Sequence, residues 1–339
     1  MKQRVLVTRA GLPGGGLARL ASRAEVVCPA GADKPGPAEL AERAEGAAAI
    51  LALGNDRVDA ALLDAAGPAL RVVALASMGY DAVDREAAAA RGVVVTHTPG
   101  VLAETTADLA FALILMARRR LGAARDALAA GRWDLFRMDD YLGLDVHGST
   151  LGLIGYGQIG QAVARRARGF GMRLLHHDPY AAASGAAYAS GAGTGPESRA
   201  VDLPTLLAEA DVVSLHVPLT PQTRHLIGAA ELASMKSTAT LVNTSRGGIV
   251  DEDALLQAVR DRAIHSAALD VFAREPMGAE LSPLVGEAHV ITLPHIGSAT
   301  EATRAAMVDL AVDNVLEVLG GRPARTPLPG SSPVPGTRD

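Results

Sequence analysis

Leu151-Gly152-Leu153-Ile154-Gly155-Tyr156-Gly157-Gln158-Ile159-Gly160 is an apolar run that passes directly into a G-x-G-x-x-G triplet. The run reads as a buried strand, and Gln161–Phe170 reads as the helix that follows. Gly155 suits a tight turn. Gly157 lets the backbone approach a pyrophosphate, and Gly160 lets the helix pack close to the strand. The helix N-terminus then faces the anion. The next strand ends in His176-His177-Asp178, and Asp178 lies 18 residues past Gly160. A carboxylate about 20 residues on accepts hydrogen bonds from the ribose hydroxyls of a dinucleotide. It also repels a 2′-phosphate, which favours NAD over NADP. A generic tight turn beside a surface Asp is the competing reading.

Working outward, strands recur on both sides of this loop. Downstream they are Val212–Leu215, Thr240–Val242, Ser266–Leu269 and His289–Thr292. Upstream, Val5–Val7, Glu25–Val27, Ala49–Ala52, Val72–Leu75 and Val93–Val95 alternate with Ala-rich helical stretches. Strand–helix alternation specifies a parallel sheet with helices on both faces. The fold class read from this pattern is α/β, with two doubly wound parallel sheets. Thr98-Pro99-Gly100 separates the blocks, and Leu102, Leu109, Leu113 and Met116 mark a helix over 101–120. Arg132–Gly148 has no period and reads as a loop. Tyr180–Pro196, an Ala/Gly/Ser stretch, reads as a mobile loop, and a Pro/Gly/Ser-rich tail over 322–339 reads as disordered.

Composition sets the outer limits. A chain of 339 residues suggests two domains. With 49% hydrophobic residues, 20% charged and a net charge of -5, it has a globular balance and no electrostatic footprint for nucleic acid. One cysteine, Cys28, excludes an intrachain disulfide and a thiolate-rich metal site. The most apolar stretch, Leu109–Ala117, is too short to span a bilayer. The expectation is a soluble, cytoplasmic protein without a metal.

Polar residues cluster where strands of the second block end, the edge at which open parallel sheets bind ligands. Asn243-Thr244-Ser245-Arg246-Gly247-Gly248 presents an Arg on a tight loop, and a guanidinium forks onto a carboxylate. Leu269-Asp270 leads to Glu275-Pro276, and Leu293-Pro294 leads to His295. A His paired with a carboxylate is an acid–base unit, because the carboxylate fixes the ring tautomer and favours imidazolium. A surface Arg, a loop carboxylate and a structural His are the bland alternatives, and the sequence leaves open whether Glu275 and His295 touch.

Together the segments MGYDAVD (78–84), ETTADLAFAL (104–113), GSTLGLIGYGQIGQAVARRARGFGM (148–172), HVPLTPQTRHLI (216–227), MKSTATLVNTSRGGIVDEDAL (235–255), LDVFAREP (269–276) and LPHIGSAT (293–300) resemble the D-2-hydroxyacid dehydrogenase family across about residues 1–320. The lead-in and first helix resemble its glyoxylate/hydroxypyruvate reductase branch, which includes 2-ketogluconate reductases. The resemblance implies Rossmann-like and flavodoxin-like domains with a cleft between them. Residues 1–99 with 294–321 would bind substrate, and 100–293 would bind NAD. It implies that Arg246, Glu275 and His295 are catalytic. Ser77, Met78 and Gly79, with Arg246 and His295, would bind the substrate. The cofactor would meet Gly155, Gly157, Gln158, Ile159, Gly160 and Asp178. Thr106, Val217, Pro218, Thr223, Thr244 and Ser245 would join them, with Arg246, Asp270, His295 and Gly297. NADH-dependent reduction of a small 2-oxoacid and a homodimer are the implied activity and assembly.

Two positions depart from the family pattern: Ser266 replaces a usual Gly, and Trp133 is followed by Phe136 where the branch often has a second Trp. D-3-phosphoglycerate oxidation, and an NAD-sensing corepressor or scaffold, are the alternative functions.

Overall fold

The structure, a computed structural model, describes residues 2–29, 35–179 and 198–331. The expected mobile loop over 180–196 lies outside the described residues, as do residues 332–339 of the expected tail.

The chain divides into two compact units. Unit 1 contains Met1–Leu102 and Ser298–Asp339, and unit 2 contains Ala103–Gly297. The second break falls after Gly297, four residues beyond the expected end at 293, and keeps His295 in unit 2.

Unit 1 is built on five parallel strands in the order β2-β1-β3-β4-β5. These are β1 (Arg4–Val7), β2 (Glu25–Val27), β3 (Ala49–Ala52), β4 (Val72–Leu75) and β5 (Val94–Thr96). The strands are short and nearly all apolar because both faces are covered. Leu6, Ile50, Val73 and Val95 face the helices α2 (Pro37–Ala44), α3 (Ala60–Ala66) and α4 (Arg85–Ala90). Val5, Val7, Leu51 and Ala74 face α1 (Gly16–Arg23) and the long helix α11 (Glu301–Leu319), which Thr300 caps by accepting from Thr303 N–H.

Unit 2 holds seven parallel strands in the order β12-β11-β10-β9-β6-β7-β8. They are β6 (Thr150–Ile154), β7 (Arg173–His177), β8 (Arg199–Ala200), β9 (Val212–Leu215), β10 (Thr240–Asn243), β11 (Ser266–Leu269) and β12 (Val290–Thr292). Counted from β6, this is the dinucleotide-fold order with one strand added, and the order reverses between β6 and β9. The helices α5 (Ala103–Arg118) and α7 (Gln158–Arg168) cover one face. The helices α8 (Leu203–Glu209), α9 (Ala229–Ser234) and α10 (Glu252–Arg260) cover the other. Ser266 is accommodated by a partner, since its hydroxyl meets Thr240 Oγ1 at 3.0 Å.

After α5, Arg120, at φ +53°, breaks the chain and starts a further helix that the sequence did not mark, α6 (Leu121–Ala129), and residues 132–148 hold no helix or strand, as expected. One local reading needs correction. The tail is not disordered over 322–331. Pro327 bridges Thr96 in antiparallel fashion, Leu328 N–H donates to Val95 O at 2.9 Å, and Leu328 is buried. An open edge strand presents unpaired backbone groups, and this segment covers β5. Local composition carries no sign of that partner.

Candidate active site

The glycine loop joins β6 to α7. Gly155 has φ +92°, and a Cβ there would sit 2.6 Å from His216 O. A Cβ on Gly160 would sit 2.3 Å from Gly155 O. Both positions exclude a side chain for reasons internal to the fold. Gly157 differs, because a Cβ there would meet nothing within 4 Å. The space above it is open to a ligand. Gly157 caps α7 without a side-chain acceptor, so the N–H groups beginning with Gln158, Ile159 and Gly160 have no side-chain cap. A crowded first and third glycine, an open second one and an uncapped helix end fit a bound pyrophosphate.

Asp178 follows β7, and its Oδ2 accepts from Tyr156 N–H at 2.8 Å. The carboxylate thus belongs to the glycine loop as well as to the strand end. Tyr156 stacks on His176 with ring centroids 4.3 Å apart. His177 Nδ1 meets Val201 O at 3.1 Å, and Arg199 pairs with Glu209. On the other side of the loop, Val217 and Pro218 follow β9. Val217 Cγ1 would lie 3.0 Å from a Gly155 Cβ. Thr223 Oγ1 donates to Pro218 O at 2.6 Å and closes that turn.

The three polar segments lie after β10, β11 and β12, which are neighbours in the sheet. Asn243, fully buried, shapes the first: its Oδ1 accepts from Ser245 N–H and its Nδ2 donates to Arg246 O at 2.9 Å. Ser245 Oγ donates to Leu215 O at 2.5 Å, and Arg246 Nη1 donates to Ser245 O. Thr244 Oγ1 is buried without a hydrogen-bond partner, an orphan that a ligand would satisfy.

Asp270 ends the second segment's strand. Its carboxylate accepts from Ile296 N–H at 2.8 Å and Gly297 N–H at 2.7 Å, and its backbone oxygen accepts from His295 N–H. Burial pushes the Asp270 carboxyl above its ordinary range, while the Ile296 N–H, His295 and the Gly297 N–H pull the other way. A Gly297 Cβ would lie 3.4 Å from Thr106 Cγ2, so α5 backs the same loop.

The residues left open by sequence do meet. His295 Nδ1 lies 2.5 Å from Glu275 Oε2, and Glu275 Oε1 accepts from Phe272 N–H at 2.6 Å. A carboxylate can only accept, so Nδ1 carries the proton and Nε2 is the ring's outward nitrogen. His295 has φ +53°, a left-handed conformation that costs a non-glycine residue about 1–3 kcal/mol. Gly247 locks the first segment onto the second: a Cβ there would fall 1.8 Å from Phe272 C.

Ser77, Met78 and Gly79 belong to unit 1, after β4. Sequence reasoning gave no role to Asn243 and Glu252. Glu252 accepts from Ala273 N–H at 2.5 Å and from Ser282 Oγ at 2.7 Å, holding the loop that carries Glu275. Both stood inside the quoted segments; Asn243 acts on the Ser245 and Arg246 backbone of its own loop, whereas the partners of Glu252 lie 21 and 30 residues away. Among the described residues no group of three potential metal-binding side chains occurs, and no helix is long and apolar enough to cross a membrane.

Comparison with known proteins gives the family. The family model described as "D-isomer specific 2-hydroxyacid dehydrogenase, NAD binding domain" matches residues 111–297. A glyoxylate reductase of Korarchaeum cryptofilum is 42% identical over 322 residues, 93% of this chain and 92% of the relative. A glyoxylate/hydroxypyruvate reductase B of Escherichia coli is 44% identical over 274 residues, 79% of this chain and 80% of that one. Among solved structures, an NADPH-dependent glyoxylate/hydroxypyruvate reductase of Sinorhizobium meliloti, in complex with NADP and malonate, superposes with a TM-score of 0.82. It is 33% identical, and 99% of each chain is covered. With a dinucleotide-type glycine loop, a Glu–His pair at the neighbouring strand ends and these relatives, the chain belongs to the D-isomer specific 2-hydroxyacid dehydrogenases, a family of oxidoreductases.

Proposed function

We propose that the protein reduces a small 2-oxoacid of the glyoxylate, hydroxypyruvate or 2-ketogluconate type to the D-2-hydroxyacid. The observation that carries this reading is the His295–Glu275 contact at 2.5 Å, which turns Nε2 outward as a proton donor. Bound nicotinamide supplies the hydride to the carbonyl carbon. His295 acts as the imidazolium, with protons on both nitrogens: it gives the Nε2 proton to the developing alkoxide and keeps Nδ1–H on Glu275, which is itself held by Phe272 N–H and keeps the ring in register. Arg246 forks onto the carboxylate and polarises the carbonyl. The Ser77–Gly79 loop takes the carboxylate as well. Unit 2, Ala103–Gly297, is the cofactor domain in this reading, and unit 1 the substrate domain.

NADH is the preferred cofactor in this reading. Asp178 supports it, because a carboxylate beside the ribose repels a 2′-phosphate. The cation and the ring that would offset it are engaged elsewhere, Arg199 with Glu209 and His177 with Val201 O. The assembly is a homodimer. The single cysteine fits a reducing compartment, and we place the enzyme in the cytoplasm on that ground.

The test is NADH oxidation with glyoxylate, hydroxypyruvate and 2-ketogluconate. The wild type turns over at least one of them. His295→Ala lowers kcat by about 10²–10⁴-fold, the usual contribution of a positioned acid, and leaves NADH affinity unchanged. Near-normal turnover by His295→Ala would mean that another group supplies the proton.

A further inference from the structure

Three consecutive carbonyls after β4 are tied back into unit 1. Ser77 O accepts from Thr98 N–H at 2.8 Å. Met78 O lies 3.0 Å from His97 Nδ1, and Gly79 O accepts from Ser77 Oγ at 2.7 Å. In a planar trans peptide the C=O and the following N–H point in opposite directions. The N–H groups of Met78, Gly79 and Tyr80 therefore face away from these anchors. Among the described residues none of the three donates to a protein acceptor. Free N–H groups on successive peptides are the material of a concave anion site. Gly54 makes the arrangement possible, since a Cβ there would lie 2.8 Å from Ser77 Cβ and 2.9 Å from Ser77 Oγ.

One of the three anchors is a side chain from another strand. A carbonyl only accepts, so His97 Nδ1 carries the proton in this contact. The Met78–Gly79 peptide needs such a hold, because glycine tolerates either sense of that peptide plane. His97 is itself fixed from the C-terminal segment. Its N–H donates to Thr326 O at 3.2 Å, and its carbonyl accepts from Thr326 Oγ1 at 2.6 Å. Asn314, fully buried on α11, donates to Thr326 Oγ1 at 2.8 Å and accepts from Thr326 N–H at 3.0 Å. The Tyr80 and His97 rings meet in a T-shaped contact with centroids 5.9 Å apart.

We propose that His97 is a positioning residue for carboxylate recognition: it holds the Met78 carbonyl so that the Gly79 N–H, flanked by those of Met78 and Tyr80, stays turned toward a substrate carboxylate. The proposal rests on the reading that Ser77–Gly79 receives the carboxylate of a 2-oxoacid, and adds what keeps that loop competent. His97 does not touch the substrate; it acts through one peptide plane.

Side-chain geometry supplies the test. Asn Nδ2 occupies the place of His Nδ1, so His97→Asn keeps the bond, whereas His97→Gln and His97→Ala lose it. KM for glyoxylate should rise about tenfold in the Gln and Ala variants, as for the loss of one hydrogen bond of about 1.4 kcal/mol. It should stay within about twofold of wild type in His97→Asn. The kcat at saturation and NADH affinity should hardly move in any of them. Calorimetric titration of oxalate into the NADH-saturated enzyme reads the same cradle without turnover, and should give the same ranking. A KM and oxalate affinity that are unchanged in His97→Gln, or equally impaired in Asn and Gln, would overturn the proposal. If His97→Ala does not fold, the Asn–Gln pair decides alone. Absence of wild-type turnover with every 2-oxoacid would instead sink the reading of the function, and the oxalate ranking would still decide for or against His97.

Discussion

At the scale of single residues, the glycines separate fold from function. Gly247 has no room for a side chain, whereas Gly157 has nothing near it. Gly247→Ala must displace the Phe272–Ala273 backbone, and overpacking of this kind costs about 1–3 kcal/mol. A urea titration should show that loss, with turnover reduced because the displaced loop carries Glu275. Gly157→Ala should leave stability within about 0.5 kcal/mol, since its φ of -73° suits any residue. NADH affinity should nevertheless fall, because the methyl group occupies the space assigned to the pyrophosphate. Equal NADH affinity in Gly157→Ala and wild type would contradict that assignment. Asp178 gives a second prediction at this scale. The wild type should use NADH with a kcat/KM at least about tenfold above that for NADPH, equivalent to about 1.4 kcal/mol. Equal efficiencies would place the ribose selectivity elsewhere.

At the scale of elements, the strand ends explain why much was legible. Apolar runs of three to five residues bounded by Gly, Pro and charge marked the strands of both sheets, apart from short β8. The residues after β6 were the glycines of a phosphate loop, and those after β10, β11 and β12 carried the polar types that chemistry needs. Contacts between elements were not legible. His295 and Glu275 are 20 residues apart, and only the pairing of β11 with β12 brings their loops together. His97 showed no signal at all, because its partners, Met78 and Thr326, lie 19 residues before it and 229 after it. The helix α6 was hidden because it begins at a left-handed Arg120 rather than at a capping residue.

His216, at the end of β9, gives the prediction proper to this scale. It is partly buried, and that burial pushes its ring from 6.5 down to about 3. Its Nε2 meets Ser214 Oγ at 2.9 Å, and Nδ1 has no partner. The folded protein keeps this ring neutral, while the unfolded chain protonates it below about 6.5. The unfolded state therefore binds more protons between pH 6.5 and about 3, and stability falls as pH drops through that window. Burial also lowers His176, His265 and His289, which act in the same direction. Urea midpoints should fall from pH 7 to pH 4.5, and more shallowly in His216→Gln. A parallel slope in that variant would assign the loss to other groups.

At the scale of the whole molecule, exposed apolar surface is unevenly placed. Of eight large hydrophobic side chains exposed among the described residues, seven lie between Leu121 and Leu142, including Trp133, Phe136 and Met138. Phe136 and Met138 are 73% and 83% exposed. Scattered apolar exposure is ordinary, but a concentration of it in one segment marks an interaction surface. The segment runs from α6 through an irregular stretch, whose exposed Trp and Phe gain most from burial against another surface. A second copy of the chain is the partner that this reading assigns. A twofold dimer would use the same patch on both subunits, so one substitution changes both sides of the interface. Sedimentation at micromolar concentration should give twice the chain mass. Phe136→Asp, placed on an exposed side chain, should leave the fold and its urea midpoint intact and shift the species toward the monomer. A wild type that sediments as a stable monomer would leave the exposed segment without this partner.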